Sequence, residues 1–288
     1  MKLGISGQAL GDVKNFREIV QIGKKYDIFN YEIWTCNAGV ENDYAKADAA
    51  ELKRIIADEG IQIDCVTLGA AFDQESCRQP DKYVSLLMAA LDFAKELDAK
   101  IVNHYCYFIS MSEIPDFRRM EKFWARPMDY AQQLGIPLAL ENEAHDSTRT
   151  PENMAAIMKH FDHPFFKTNY DAVNYFHASC EGFPASYEIL RPYIGYVHLK
   201  NACLYRPDAK QPEDHRGAPM SGHYSPAPIQ YAPLPDGAVN IPGLLTHLQE
   251  DDVYHGTCTL EPHTTPEFVE DFYRRESQWL RQLGFFKD

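Results

Sequence analysis

Four segments of this chain end in a side chain able to bind a divalent metal: PLALEN with Glu141, FKTNYD with Asp171, GYVHLK with His198 and GTCTLEP with Glu261. The first three ligands recur at about the length of one strand-plus-helix unit. Three carboxylates and one imidazole at the ends of successive strands describe a metal site at the mouth of a barrel. Such a donor set suits Mn²⁺ first, with Mg²⁺, Co²⁺ and Zn²⁺ as alternatives. No thiolate joins the set, which argues against a structural zinc. Against one dication the three carboxylates leave a charge of about −1, which favours a neutral chelating ligand such as the carbonyl and adjacent hydroxyl of a keto sugar.

A dication there would polarise a carbonyl and acidify the neighbouring C–H. Glu141 and Glu261 would each bind through one oxygen and keep the other free as a base. One would remove a proton and the other return it, giving epimerisation. A leaving group β to the carbonyl would instead be expelled, giving dehydration or lyase chemistry. Lys200 is expected to stabilise the developing oxyanion, and His104 to act as an acid or base. Trp34, Glu143, His145 and His263 are expected to contact substrate or support the ligands. Taken singly, each of these side chains also reads as a core, cap or rim group; the pattern of four ligands carries the assignment.

The elements that must hold these residues alternate along the whole chain. Strand-like runs lie at 2–6, 30–35, 61–69, 100–108, 136–142, 165–171, 194–200 and 255–262. They are rich in Val, Ile, Leu, Tyr and Thr, as buried parallel strands require. In a strand, residues two apart share a face, so Glu141 pairs with Glu143, Asn169 with Asp171, His198 with Lys200, Glu261 with His263 and Glu32 with Trp34. Between strands the apolar residues keep a helical period, as at 81–98. Gly60 and Gly135 stand where helix C-caps belong, and Pro151 suits a first helical turn. Eight such units without a composition break predict one domain, residues 1–288, folded as a (β/α)8 TIM barrel. A doubly wound open sheet competes, but no glycine-rich phosphate turn follows the first strand.

One interval is longer. Residues 201–239, after strand seven, hold seven of the chain's 18 prolines and no helical period. A long loop after a strand's C-terminal end sits on the catalytic face of a barrel, as a lid carrying His215 and His223, or as a surface insertion or oligomer contact.

Composition bounds the rest. At 288 residues, 45% hydrophobic and 24% charged, the chain reads as an ordinary soluble globular protein. Its formal net charge of −14 argues against nucleic acid and anionic membranes as partners. A small carbohydrate is the expected partner; the isolated arginines, such as Arg149, Arg191 and Arg206, favour a neutral sugar or cyclitol, while Arg206 and Arg216 of the loop leave a sugar phosphate open. The seven scattered cysteines, with no CxxC pair, imply reduced thiols and a cytoplasmic location. The first residues read as a strand and not as a signal peptide.

The runs LALENE, NYDAVN, VHLKNA and TLEPH resemble the sugar phosphate isomerase/epimerase superfamily of xylose isomerase-like TIM barrels. The resemblance spans nearly the whole chain. It implies Glu141, Asp171, His198 and Glu261 as metal ligands and a range of activities: ketose 3-epimerase, hydroxypyruvate isomerase, inosose dehydratase, 3-keto-glycoside lyase and AP endonuclease. The nuclease branch carries His three residues beyond the strand-six Asp, where this chain has Asn174, and no Asp-x-His pair follows His198. Asn174 is instead expected to face substrate. PLPDGAVNIPGLL is similar to a segment that carries Glu where Asp236 stands, and Asn201 replaces a frequent Asp. The expectation is an isomerase or epimerase, with a dehydratase or lyase as alternative and a non-catalytic sugar-binding barrel as the other class.

Overall fold

The computed structural model describes residues 1–10, 15–208, 219–225 and 227–286. Strands β1 (Lys2–Ser6), β2 (Asn30–Trp34), β3 (Gln62–Leu68), β4 (Ile101–His104), β5 (Leu138–Glu141), β6 (Phe166–Asp171) and β7 (Ile194–Leu199) are followed by a hairpin of β8 (Asn201–Leu204) and β9 (Ile229–Ala232), and then by β10 (Thr257–Leu260). The first seven and β10 close in the order β1-β10-β7-β6-β5-β4-β3-β2, all pairs parallel. Helices α1 (Phe16–Lys25), α2 (Ala49–Glu59), α3 (Pro80–Glu96), α4 (Phe117–Leu134), α5 (Pro151–Phe161), α6 (Ala172–His177), α7 (Ala185–Leu190), α8 (Ile241–Glu250) and α9 (Pro266–Gln282) fill the crossovers. This is the single-domain (β/α)8 barrel expected from the alternation.

Local sequence explains the ends of these helices. Asn15, Asp48, Asp116, Thr150 and Asn240 each accept a backbone N–H of the first turn of α1, α2, α4, α5 and α8. Gly60 (φ 64°) and Gly135 (φ 72°) close α2 and α4 in the left-handed conformation that a side chain disfavours. Pro151 opens α5, where its missing N–H costs nothing.

The main apolar core lies between the barrel and its helices. A second, small cluster of Cys65, Ile101, Ala139 and Tyr196 plugs the lumen. Two residues further along the same faces stand Thr67, Asn103, Glu141 and His198. The period of two therefore builds an apolar layer with a polar layer above it, towards the strands' C-terminal ends. Register shifts leave Asp64 and Gly195 as extra residues opposite β2 and β6 and set Glu32 level with Cys65 and Asn169 level with Tyr196.

Two expectations change. The run at 100–108 stops being strand at His104, and Tyr107–Ile109 turns into a short 3-10 helix. The interval 201–239 is not without structure: β8 and β9 pair antiparallel, Asn201 opposite Ala232. Asn201 holds the base of this insertion, its Nδ2 donating to Leu234 O and Val239 O, both at 3.0 Å, and its Oδ1 accepting from Ala202 N and Val239 N. A Cβ on Gly237 would lie 2.0 Å from Asn201 Cγ, so glycine is required there. Asp236 pairs with Arg275 of α9 at 2.5 Å. His215 and Arg216 lie outside the described residues.

Helix α9 also buries Glu276 completely; Oε1 accepts from Leu234 N at 3.2 Å while Oε2 has no hydrogen-bond partner. Burial pushes its pKa from 4.5 up to about 8. Between those two values the folded chain holds a proton that the unfolded chain has released, so this group's stabilisation is lost as pH rises through that window. The melting temperature is expected to fall from pH 5 to pH 8.5. Glu276→Gln should flatten that fall and stabilise the protein at pH 8.5 by on the order of 2 kcal/mol. Calorimetry at the two pH values checks it, and parallel melting curves for both proteins would refute it.

Candidate metal centre

The strands bring Glu141, Asp171, His198 and Glu261 together at the C-terminal mouth. All four are buried, and one ligand atom from each lies within 4.8 Å of the others. Donors at 2.0–2.2 Å from a single ion stand at most about 4.4 Å apart, so a shift of a few tenths of an ångström closes the set.

His198 is held from both sides. Its Nδ1 lies 3.1 Å from Glu141 Oε1 and 3.4 Å from Glu261 Oε2, and its Nε2 lies 2.6 Å from Glu32 Oε2. Glu32 is fully buried, and its Oε1 accepts from Trp34 Nε1 and Thr67 Oγ1, both at 2.7 Å. With Nε2 against that carboxylate, Nδ1 points into the ligand cluster, where losing its proton would free a lone pair for a metal.

Asp171 divides its carboxylate. Oδ1 caps α6, accepting from Val173 N at 2.8 Å and Asn174 N at 3.0 Å. Oδ2 makes no directed hydrogen bond and faces the Lys200 ammonium at 2.8 Å. Lys200 also reaches Glu261 Oε2 at 2.8 Å.

Burial works against every one of these charges, but their neighbours outweigh it for three. Burial lowers the pKa of His198, yet Glu141, Glu261 and Glu32 raise it further than burial lowers it. Lys200 is likewise raised, by Asp171 and Glu261. Glu261 is held well below the usual carboxylate range by His198 and Lys200. Asp171 goes the other way, raised by burial and by Glu141 and Glu261 despite Lys200. Glu143, half-buried beside the cluster, is raised by burial and by the Glu141 charge.

Glu141 is less free than its type suggests. Oε2 accepts from Asn103 Nδ2 and Asn169 Nδ2, both at 3.0 Å. Asn174 Nδ2 approaches Oε1 at 3.4 Å. The expectation of one unengaged oxygen on Glu141 therefore gives way to a carboxylate gripped at both ends. On Glu261 the contacts with His198, Lys200 and His263 all fall on Oε2.

Other expected residues scatter. His263 stands 3.4 Å from Glu261 and stacks on Tyr231 of β9 at 4.5 Å, so the hairpin reaches the site. His145 Nδ1 accepts from His223 N at 3.1 Å, and its ring meets His177 edge-on at 5.2 Å. Trp34 closes the side of the site, its N–H committed to Glu32. His104 goes elsewhere: β4 turns Asn103 inward and His104 outward, packed between Trp124 at 5.5 Å and Phe166 at 5.9 Å. Burial lowers its pKa to about 3, so it is a neutral core ring and leaves the catalytic set. Asn103, Tyr105, Tyr231 and His177 were not singled out from sequence; Asn103 alone had a signal, a lone amide within the apolar run IVNH.

No helix among the described residues is long and apolar enough to cross a membrane. No curated protein matches the sequence significantly. Solved structures do match in fold. The IOLI protein, crystallised with a zinc atom, is 13% identical with a TM-score of 0.74, covering 100% of both chains. D-allulose 3-epimerase from Methylomonas sp., in complex with D-allulose, is 18% identical with a TM-score of 0.69, covering 98% of this chain and 96% of its own. The probable 3-DHS dehydratase AsbF from Bacillus anthracis is 18% identical with a TM-score of 0.67, covering 98% and 99%. Identities this low speak for the fold alone. The family model described as xylose isomerase-like TIM barrel matches residues 16–286, and the chain belongs to that family.

Proposed function

We propose that this protein is a divalent-metal-dependent sugar isomerase or epimerase, acting on a keto sugar or related polyol by proton transfer beside the carbonyl. One observation carries the reading: the donor atoms of Glu141, Asp171, His198 and Glu261 converge at the open end of the barrel. The oxygen-rich set is consistent with Mn²⁺, our first choice, and with Mg²⁺, Co²⁺ or Zn²⁺. The fold relatives holding zinc and D-allulose support a metal and a small sugar. The seven free cysteines favour a reducing compartment, and we place the enzyme in the cytoplasm.

The bound dication supplies Lewis-acid polarisation of the substrate carbonyl. Glu261, just past β10, and Glu141, at the end of β5, flank the point where the acidic C–H would lie. Glu261, whose contacts leave Oε1 for the substrate, takes the proton; Glu141 returns one on the opposite face once the long Asn174 contact on its Oε1 gives way. Lys200 donates a hydrogen bond to the oxygen that gains charge. Asn174, Glu143, His145 and His263 bind hydroxyls, and Trp34 excludes water.

Elimination is the second reading, favoured by a histidine near the rim. His263 beside Glu261 is placed to protonate a leaving group, whereas burial lowers the pKa of His145 and takes that of His177 down to about 4, which leaves these two as hydrogen-bonding groups. The dehydratase among the fold relatives supports it.

Keto sugars, inososes and 3-keto-glycosides incubated in deuterated water with Mn²⁺ are expected to gain deuterium at one carbon beside the carbonyl, read by proton NMR. An epimer selects the first reading and an alkene the second. Chelation should abolish exchange, and Glu261→Gln should slow it by about 10³-fold; turnover that survives exhaustive chelation would end the metal reading. Glu32→Gln keeps the shape but loses the charged acceptor behind His198. Titration calorimetry is expected to show Mn²⁺ binding weakened by about 10–100-fold with the circular dichroism spectrum unchanged. Undiminished affinity would mean that Glu32 merely fills space.

A further inference from the structure

A run of aromatic rings leads out of the site, and the chemistry above leaves most of it unused. It starts at Tyr105, whose hydroxyl accepts from Asn103 Nδ2 at 3.3 Å, the same amide that holds Glu141. The Tyr105 ring meets Trp34 with centroids 5.7 Å apart and Phe72 at 4.7 Å. Phe72 meets Tyr107 at 4.9 Å, and Tyr107 continues to Phe108 at 4.8 Å and to His145 at 6.1 Å. These residues follow β2, β3, β4 and β5, so the run lies on the same barrel face as the metal ligands. Gly69 stands behind it; a Cβ there would come within 3.3 Å of Trp34 Cζ3.

Exposure rises along the run. Tyr105 is 2% and Trp34 7% exposed, whereas Phe72 is 38% exposed. Each step is about one ring wide, and Phe72 and Tyr107 lie beyond Tyr105 on the side away from Asn103 and Glu141, past the reach expected of a single sugar held at Glu141. Uncharged aromatic faces next to a polar site attract flat rings through dispersion and edge-to-face contact.

We propose that Phe72 and Tyr107 form a second subsite, which stacks on a ring joined to the sugar bound at Glu141. The substrate is then a keto-glycoside and not a free keto sugar. The inference rests on the sugar reading for the anchored end and adds the identity of the other end: a flat-faced aglycone, aryl or glycosyl.

The test is calorimetric titration of the Mn²⁺-loaded protein with methyl β-D-glucoside, phenyl β-D-glucoside and cellobiose. The phenyl glucoside or cellobiose is expected to bind about ten-fold more tightly than the methyl glucoside. The source of the ring is the one that gains. Phe72→Ala should erase the preference, with Phe72→Leu and Tyr107→Ala as variants in case the first fails to fold. Equal affinities, no binding by any of the three, or a preference that survives all the folded variants overturns the subsite. So does a Phe72 variant that only changes the oligomeric state. Such a failure leaves the deuterium-exchange result standing, whereas absence of exchange with every keto sugar sinks the parent reading and leaves the ring preference measurable.

Discussion

Four carboxylates share one dry layer of this barrel: Glu32, Glu141, Asp171 and Glu261, none more than 2% exposed. Burying one such charge without a partner is prohibitive, and burying four together is worse. Every polar feature of the layer answers that constraint. Lys200 bridges Asp171 and Glu261, and His198 stands between Glu141, Glu261 and Glu32. Asn103 and Asn169 give Glu141 neutral donors, and the α6 amides do so for Asp171. The internal cations are fewer than the anions. A dication at the cluster of Glu141, Asp171, His198 and Glu261 would complete the compensation.

The scaffold meets the demand by parity alone. Each strand that carries an apolar plug residue carries a polar one two positions later, so a single alternation fills the lumen below and arms the mouth above. The hairpin after β7 then brings Tyr231 over His263 and leaves Asn201 to hold its base. Rigid strands fix the four-residue cluster, and loops supply the wall around it. That division suits a barrel on which many reactions share one layout.

The barrel and the convergence of four ligand-type side chains were legible in residue types and spacing, because strands demand apolar runs and a metal site would demand donors at their ends. The partners behind the ligands were less so. Glu32 was visible as a residue sharing a face with Trp34, but nothing in NYEIW says that it meets His198 across the lumen. His104 shows the converse. Only parity within β4 decides whether Asn103 or His104 faces in, and the strand is too short and too uniformly buried for its pattern to tell. The insertion hid its hairpin because prolines mask the alternation of a short edge pair. Tyr105 and Tyr231 read as ordinary core aromatics until their neighbours are known.

The two kinds of polar residue are also divided along the chain. All four members of the candidate metal cluster come from β5 onwards, whereas Glu32, Thr67 and Asn103, which buttress them, come from β2, β3 and β4. A fragment ending after α4 would carry props with nothing to support, and the complementary fragment would carry bare ligands. Neither half-barrel is a smaller version of the whole. Reactivity is a property that first exists when the ring of strands shuts.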